Sequence, residues 1–204
     1  MTSFFLEKHP NTSRMMIIIC RGFSMSGKDT VADILCREYD FTRFAFADGL
    51  KDIVADKYGC NVQFLHTQEG KNTYSTKYNA KWRDIIIQEG YDQRCLNENI
   101  FADMCIEKIK RSEKKRIVIT DFRYPNEIEV LLSSFPTEYI KVMHIMRNEQ
   151  YTSPVEDESE NLLITRVSDT ILVNPGTTID CLKENVAIYM SMVEKEYINK
   201  INCN

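Results

Sequence analysis

Met16-Ile17-Ile18-Ile19-Cys20-Arg21-Gly22-Phe23-Ser24-Met25-Ser26-Gly27-Lys28-Asp29-Thr30 decides the fold of this chain. An apolar strand feeds a loop bounded by two glycines, and Gly27-Lys28 then opens a helix expected over residues 29–39. This is the layout of a phosphate-binding loop, or P-loop. Gly22 and Gly27 let the backbone curl until its N–H groups converge on an anion. The helix behind adds the positive end of its dipole, and Lys28 reaches for the β- and γ-phosphates. Asp29 stands where many P-loops carry Ser or Thr, and the hydroxyl follows one place later at Thr30. A carboxylate beside a polyphosphate is repulsive unless it meets a cation or a donor. Asp29 is therefore expected to face such a partner, with Thr30 bonding a phosphate.

The rest of the composition suits a compact enzyme. The chain has 204 residues, 43% of them hydrophobic and 27% charged, which suggests neither a disordered nor a membrane class. No apolar run approaches the roughly 20 residues of a spanning helix. Residues 1–14 mix charges without an apolar core, so they read as an N-terminal extension to a domain over 15–204 rather than as a signal peptide. Seven cysteines without a C-x-x-C pair read as reduced thiols of a cytoplasmic protein. His9, His66 and His144 have no ligand spacing, so no zinc is assigned. A net charge of −4 argues against a general nucleic-acid binder, and nothing in the pattern calls for a membrane partner. A homodimer is allowed.

Strand and helix signals alternate along the chain, which implies an α/β fold. The expected architecture is P-loop NTPase-like and three-layered. A central parallel sheet of about five strands has helices on both faces. Strands are expected at 41–46, 117–120, 140–146 and 170–173, and helices at 48–58 with Asp48 as N-cap, at 81–89, 99–111 and 179–197. Residues 61–79 are polar and weakly periodic, so they read as loop or cleft wall. The helical stretch of about 48–112 is the expected substrate-binding region. Residues 147–161, polar and containing Pro154, are the expected lid.

A second segment carries chemistry: Ile117-Val118-Ile119-Thr120-Asp121-Phe122-Arg123-Tyr124-Pro125-Asn126-Glu127. Ligands of open α/β sheets gather at the C-terminal ends of strands. Asp121, just past a buried strand, is placed to hold Mg²⁺ directly or through water. Arg123 can grip a phosphate with its planar fork. The blander reading makes Asp121 a cap for a helix starting near Pro125, with Arg123 as its ion-pair partner.

With both segments in hand the chain resembles the viral and phage deoxynucleoside monophosphate kinases. The marks are Ser26-Gly27-Lys28-Asp29-Thr30, Phe46-Ala47-Asp48-Gly49-Leu50-Lys51, Arg83 to Gly90 with Arg94, and Thr120-Asp121-Phe122-Arg123 with Glu127. Arg147, Ser159-Glu160 and Asn174-x-Gly176-Thr177 complete the set. Where that family often has a His shortly before the Ser-Glu pair, Glu156-Asp157-Glu158 stands here. The resemblance implies transfer of the γ-phosphoryl group of ATP to a deoxynucleoside 5′-monophosphate, with Mg²⁺, in the cytoplasm of a host if the chain is viral.

The charges then divide into roles. Lys28, Asp121, Arg123 and Arg147 are the catalytic candidates, with Arg147 as the lid arginine. Gly22, Ser26, Gly27, Lys28, Asp29, Thr30, Arg147, Asn174 and Gly176 are assigned to ATP, the last two as an edge for adenine. Asp29, Lys51, Trp82, Arg83, Arg94, Arg123 and Glu127 are assigned to the acceptor, and Asp29, Thr30 and Asp121 to the metal. The base stays unnamed. Two other readings stay open, a different small-molecule kinase such as a phosphomevalonate kinase and a non-catalytic deoxynucleotide-binding module. A GTPase is disfavoured because the chain has no Asn-Lys-x-Asp signature.

Overall fold

A computed structural model describes residues 15–23, 25–147, 170–174, 176 and 178–202. The first half of the chain gives β1 (Met16–Arg21), α1 (Lys28–Tyr39), β2 (Thr42–Phe44), α2 (Phe46–Tyr58), α3 (Val62–His66) and α4 (Gln68–Asn72). A small hairpin of β3 (Tyr74–Ser75) and β4 (Ala80–Lys81) precedes α5 (Trp82–Leu96) and α6 (Ile100–Ser112). Then come β5 (Arg116–Ile119), α7 (Pro125–Ser134), β6 (Ile140–Arg147), β7 (Thr170–Asn174) and α8 (Ile179–Asn202).

The described residues form two units. The first holds the chain up to Arg43, Lys114–Tyr124, and the described residues from Pro136 onward. Its sheet has the order β2–β5–β1–β6–β7. β1 runs parallel to both β5 and β6, and β6 runs parallel to β7, so Ile17 faces Ile117 on one side and Ile140 on the other. A strand enclosed in this way is buried on both faces, which is why β1 reads as an unbroken apolar run. On one face Ile18, Val118, Met143 and Ile145 pack with Val31 and Leu35 of α1 and with Leu182, Val186 and Met190 of α8. On the other face Ile17, Ile19, Ile117 and Ile119 are fully buried as well. Each such isoleucine contributes on the order of 2–3 kcal/mol. This is the α/β architecture expected from the sequence, with β2 and β7 at the two edges.

The second unit, Phe44–Glu113 with Pro125–Phe135, is helical apart from the hairpin. α2 packs on α3, α5 and α6, and α6 packs on α7. Small residues set two of these approaches. A Cβ at Gly90 would lie 3.0 Å from Leu50, and one at Gly49 would lie 3.0 Å from the Met104 sulfur. Glu89 of α5 is buried and accepts from Lys57 Nζ at 2.7 Å, Gln93 Nε2 at 2.8 Å and the Tyr58 hydroxyl at 3.3 Å. Burial alone would raise its pKa, but these donors outweigh it and hold the carboxyl below the ordinary value.

Several expected bounds are corrected. Residues 61–79 are not a bare loop, because side-chain caps organise them. Asn61 Oδ1 accepts from the Gln63 N–H at 2.8 Å, and Thr67 Oγ1 from the Gly70 N–H at 2.8 Å, starting α3 and α4. Asp48 is not an N-cap: α2 begins at Phe46 after Ala45, and Asp48 lies in its first turn. α5 continues beyond residue 89 to Leu96, carrying Gly90 inside it. α8 reaches Asn202 rather than residue 197. The extension 1–14 and the lid, apart from Arg147, lie outside the described residues.

Candidate functional site

The loop after β1 is shaped by its glycines. Gly22 has φ 145°, and a Cβ there would lie 2.2 Å from the Ile145 carbonyl oxygen and 2.8 Å from Ser26 Oγ. Gly27 has φ 102°, and its Cβ would lie 2.5 Å from Asn174 Nδ2. Any other residue at either place would collide and be strained. Met25, at the exposed tip, adopts φ 62° between them. Ser26 is fully buried, and its Oγ has no hydrogen-bond partner among the described residues. Such an orphan hydroxyl in a curled backbone fits a site built for an external oxyanion.

Lys28, first residue of α1, folds its ammonium back to donate to the Gly22 carbonyl at 2.5 Å and the Phe23 carbonyl at 2.6 Å. The charge is thereby fixed at the mouth of the loop. Thr30 follows on the half-buried side of α1. Asp29 is 77% exposed and makes an ion pair with Arg43 of β2. That pairing answers the repulsion noted for a carboxylate beside polyphosphate, because the loop presents a compensated pair. Arg43 was not singled out from sequence, since an arginine on a three-residue edge strand carries no local signal.

The strand registers bring further candidates to the same edge of the sheet. Ile19 pairs with Ile119, so Asp121, two residues on, leaves β5 level with Arg21 and the start of the loop. Asp121 is half-buried and Arg123 exposed. On the other side Arg21 pairs with His144 across β1 and β6, and Arg147 pairs with Asn174 across β6 and β7. Asn174 Nδ2 donates to the Ser26 carbonyl at 2.9 Å, and its Oδ1 accepts from the Gly176 N–H at 3.0 Å. Arg147 lies against Gly176, where a Cβ would be 3.1 Å from its Nε, a buried nitrogen without a hydrogen-bond partner among the described residues. All eleven candidates placed on the loop and the strand ends, Gly22, Ser26, Gly27, Lys28, Asp29, Thr30, Asp121, Arg123, Arg147, Asn174 and Gly176, fall in the first unit.

Beneath them the strand ends are electrostatically unusual. Arg21 is buried, with Nη2 3.4 Å from His144 Nδ1. Burial, then the charges of Arg21 and Lys28, push the imidazole down to about 4, so His144 is neutral at pH 7. Burial likewise pushes the Cys20 thiol up to about 12, which rules it out as a nucleophile.

The remaining candidates, Lys51, Trp82, Arg83, Arg94 and Glu127, belong to the second unit. Lys51 Nζ donates to Asp48 Oδ1 at 3.1 Å and lies 3.2 Å from His66 Nδ1. Arg83 is exposed and bonds Gln68 Oε1 at 3.1 Å and Asn72 Oδ1 at 3.2 Å. Arg94 lies 4.9 Å over the Phe101 ring and donates to the Gly90 carbonyl at 3.2 Å. Glu127 is buried on α7. Trp82 is 8% exposed and packs edge-on against Tyr58 and Tyr78, with centroids 6.4 and 5.9 Å away. Its ring is part of an aromatic cluster rather than an open stacking face.

Among the described residues no three His, Cys, Asp or Glu side chains gather as a metal site. The donors on the page, the Thr30 hydroxyl and the Asp121 and Asp29 carboxylates, are hard oxygens. Such a set fits Mg²⁺, which typically takes one or two protein ligands beside substrate phosphates and waters.

No family model matches the chain, and no curated protein matches it. Solved structures do. TT1252 from Thermus thermophilus is similar over 89% of this chain and 98% of its own, with a TM-score of 0.50 and 12% identity. Dephospho-CoA kinase from Campylobacter jejuni covers 89% and 98% (TM-score 0.47, 14% identity). A gluconokinase from Sinorhizobium meliloti covers 91% and 98% (TM-score 0.46, 11% identity). The likeness is one of fold. For TT1252 it agrees with the α/β architecture described above.

Proposed function

We propose that this chain is an ATP-dependent kinase that phosphorylates deoxynucleoside 5′-monophosphates. The observation that carries the reading is the loop itself. Two glycines stand where any Cβ would collide, a fully buried serine hydroxyl has no hydrogen-bond partner among the described residues, and a lysine ammonium is fixed at the mouth. That arrangement suits the oxygens of a polyphosphate. The acceptor comes from the resemblance, supported by the cations Lys51, Arg83 and Arg94 of the helical unit and by Arg123.

In the reaction an acceptor phosphate oxygen forms a bond to the γ-phosphorus while the bond to the β–γ bridging oxygen breaks, and ADP leaves. No enzyme nucleophile is required, so catalysis is positioning and charge stabilisation. Lys28 and the loop N–H groups hold the donor phosphates. Arg123 is assigned to the acceptor phosphate, and Arg147 meets the charge on the transferring group. Mg²⁺, held through Thr30 and Asp121 with Asp29 nearby, would neutralise phosphate oxygens when bound. The Asp29–Arg43 pair lets a carboxylate sit beside the donor without net repulsion.

The test is a coupled ADP-release assay over all deoxy- and ribonucleoside monophosphates, with phosphomevalonate included. Turnover with one or more deoxynucleotides above the ribonucleotides supports the reading. Turnover with phosphomevalonate alone would reassign the acceptor. Tight deoxynucleotide binding without turnover would make the protein a sensing module.

A further inference from the structure

The side chain of Asn174 joins two parts of the first unit that are far apart in sequence. Its Nδ2 donates to the Ser26 carbonyl, 148 residues away, at 2.9 Å, and its Oδ1 accepts from the Gly176 N–H at 3.0 Å. Gly27 leaves room for this, since a Cβ there would lie 2.5 Å from the same Nδ2. Ser26, Gly27 and Lys28 are consecutive, so the bonded carbonyl belongs to the peptide unit that turns into the loop's lysine. An amide carries an acceptor oxygen with two lone pairs and a nitrogen with two protons, and here each end has one partner within the protein, which fixes the orientation of the side chain. A side chain held at both ends cannot swing toward a purine edge without giving up these bonds. It is well placed to fix how the loop backbone is oriented.

We infer that Asn174 is a positioning residue for the phosphate loop, holding Ser26–Lys28 in their anion-binding orientation through the Ser26 carbonyl, rather than a residue that touches the donor's base. The inference deepens the donor-site reading and rests on it. It also explains why Gly27 and Asn174 are matched, since a side chain at one would displace the other. Through Gly176 the same amide sets the turn against which Arg147 lies, so one side chain orders the loop and the flank of the arginine together.

Asn174→Asp keeps the oxygen that accepts from Gly176 and replaces the donor with an acceptor facing the Ser26 carbonyl. Asn174→Ala removes both bonds and is the second variant if the charged one does not fold. Direct calorimetric binding is measured for ATP and for inorganic tripolyphosphate, which has no base. Both variants should weaken the two ligands by the same factor, tenfold or more, with the protein still folded at the assay temperature. The Ser26, Gly27 and Lys28 amide resonances of the unliganded protein should shift. Loss of ATP affinity with tripolyphosphate binding intact would make Asn174 a base contact and overturn the inference, as would no loss for either ligand. Wild-type protein and Lys28→Ala are run beside them. If wild type binds neither ligand, or if Lys28→Ala binds both normally, the donor-site reading itself fails, and the role of Asn174 with it.

Discussion

Arg123 is exposed just past the end of β5. If it grips the acceptor phosphate, Arg123→Ala should raise the monophosphate KM and lower kcat while leaving ATP affinity nearly intact. The cost should be on the order of 2–4 kcal/mol in kcat/KM. Collapse of ATP binding with acceptor binding preserved would move Arg123 to the donor. His144 makes a different prediction, about stability. Its folded pKa of about 4 lies below the ordinary 6.5. Between those values the unfolded chain takes up a proton that the folded chain refuses, so stability falls as pH drops from 6.5 to 4 and the loss levels off below. The size should be about 2 kcal/mol, and urea midpoints at pH 7 and 4.5 measure it. His144→Asn should fall less over the same interval. An equal fall in both proteins would mean that the imidazole is not held neutral beside Arg21.

At the scale of elements, α8 is tied to β5 by one ion pair. Arg116 is buried, stacks 4.7 Å over Phe41, and donates to Glu194 Oε1 at 3.1 Å. Glu194→Ala would leave a guanidinium in the core without that carboxylate and should cost about 2–3 kcal/mol in chemical denaturation. A change below about 0.5 kcal/mol would place the pair among ordinary surface contacts. Elements such as β1, β5 and α1 were legible in the sequence because each carries its own signal, an apolar run or an amphipathic stripe ended by a turn. Residues 61–79 were not. α3 and α4 depend on single capping oxygens, Asn61 and Thr67, inside a stretch with little apolar period. α5 runs past the expected end at residue 89, with Gly90 inside it kept by the close approach of Leu50. The site divides in the same way. Gly22, Gly27 and Lys28 form a local pattern and could be read at once. The bond from Asn174 to Ser26 and the pairing of Asp29 with Arg43 are made by the fold, and no short window of sequence contains both partners.

For the whole molecule, the proposed donor residues lie in the sheet unit, and Lys51, Arg83 and Arg94 lie in the helical unit. Damage to each should therefore separate kinetically. Gly22→Ala, strained at φ 145° and 2.2 Å from the Ile145 carbonyl, should abolish ATP binding. Lys51→Ala should chiefly raise the acceptor KM. Both expectations depend on the central claim, that the glycine loop delivers the γ-phosphoryl group of ATP to a deoxynucleoside monophosphate. The most direct measurement follows γ-labelled ATP with the four deoxynucleoside monophosphates and Mg²⁺, in wild type and Lys28→Ala, with products separated by chromatography. The account predicts label in a deoxynucleoside diphosphate with wild type. With Lys28→Ala it predicts less than a tenth of that rate, a barrier increase above ~1.4 kcal/mol. Label found only as inorganic phosphate, or transfer undiminished in Lys28→Ala, would contradict it.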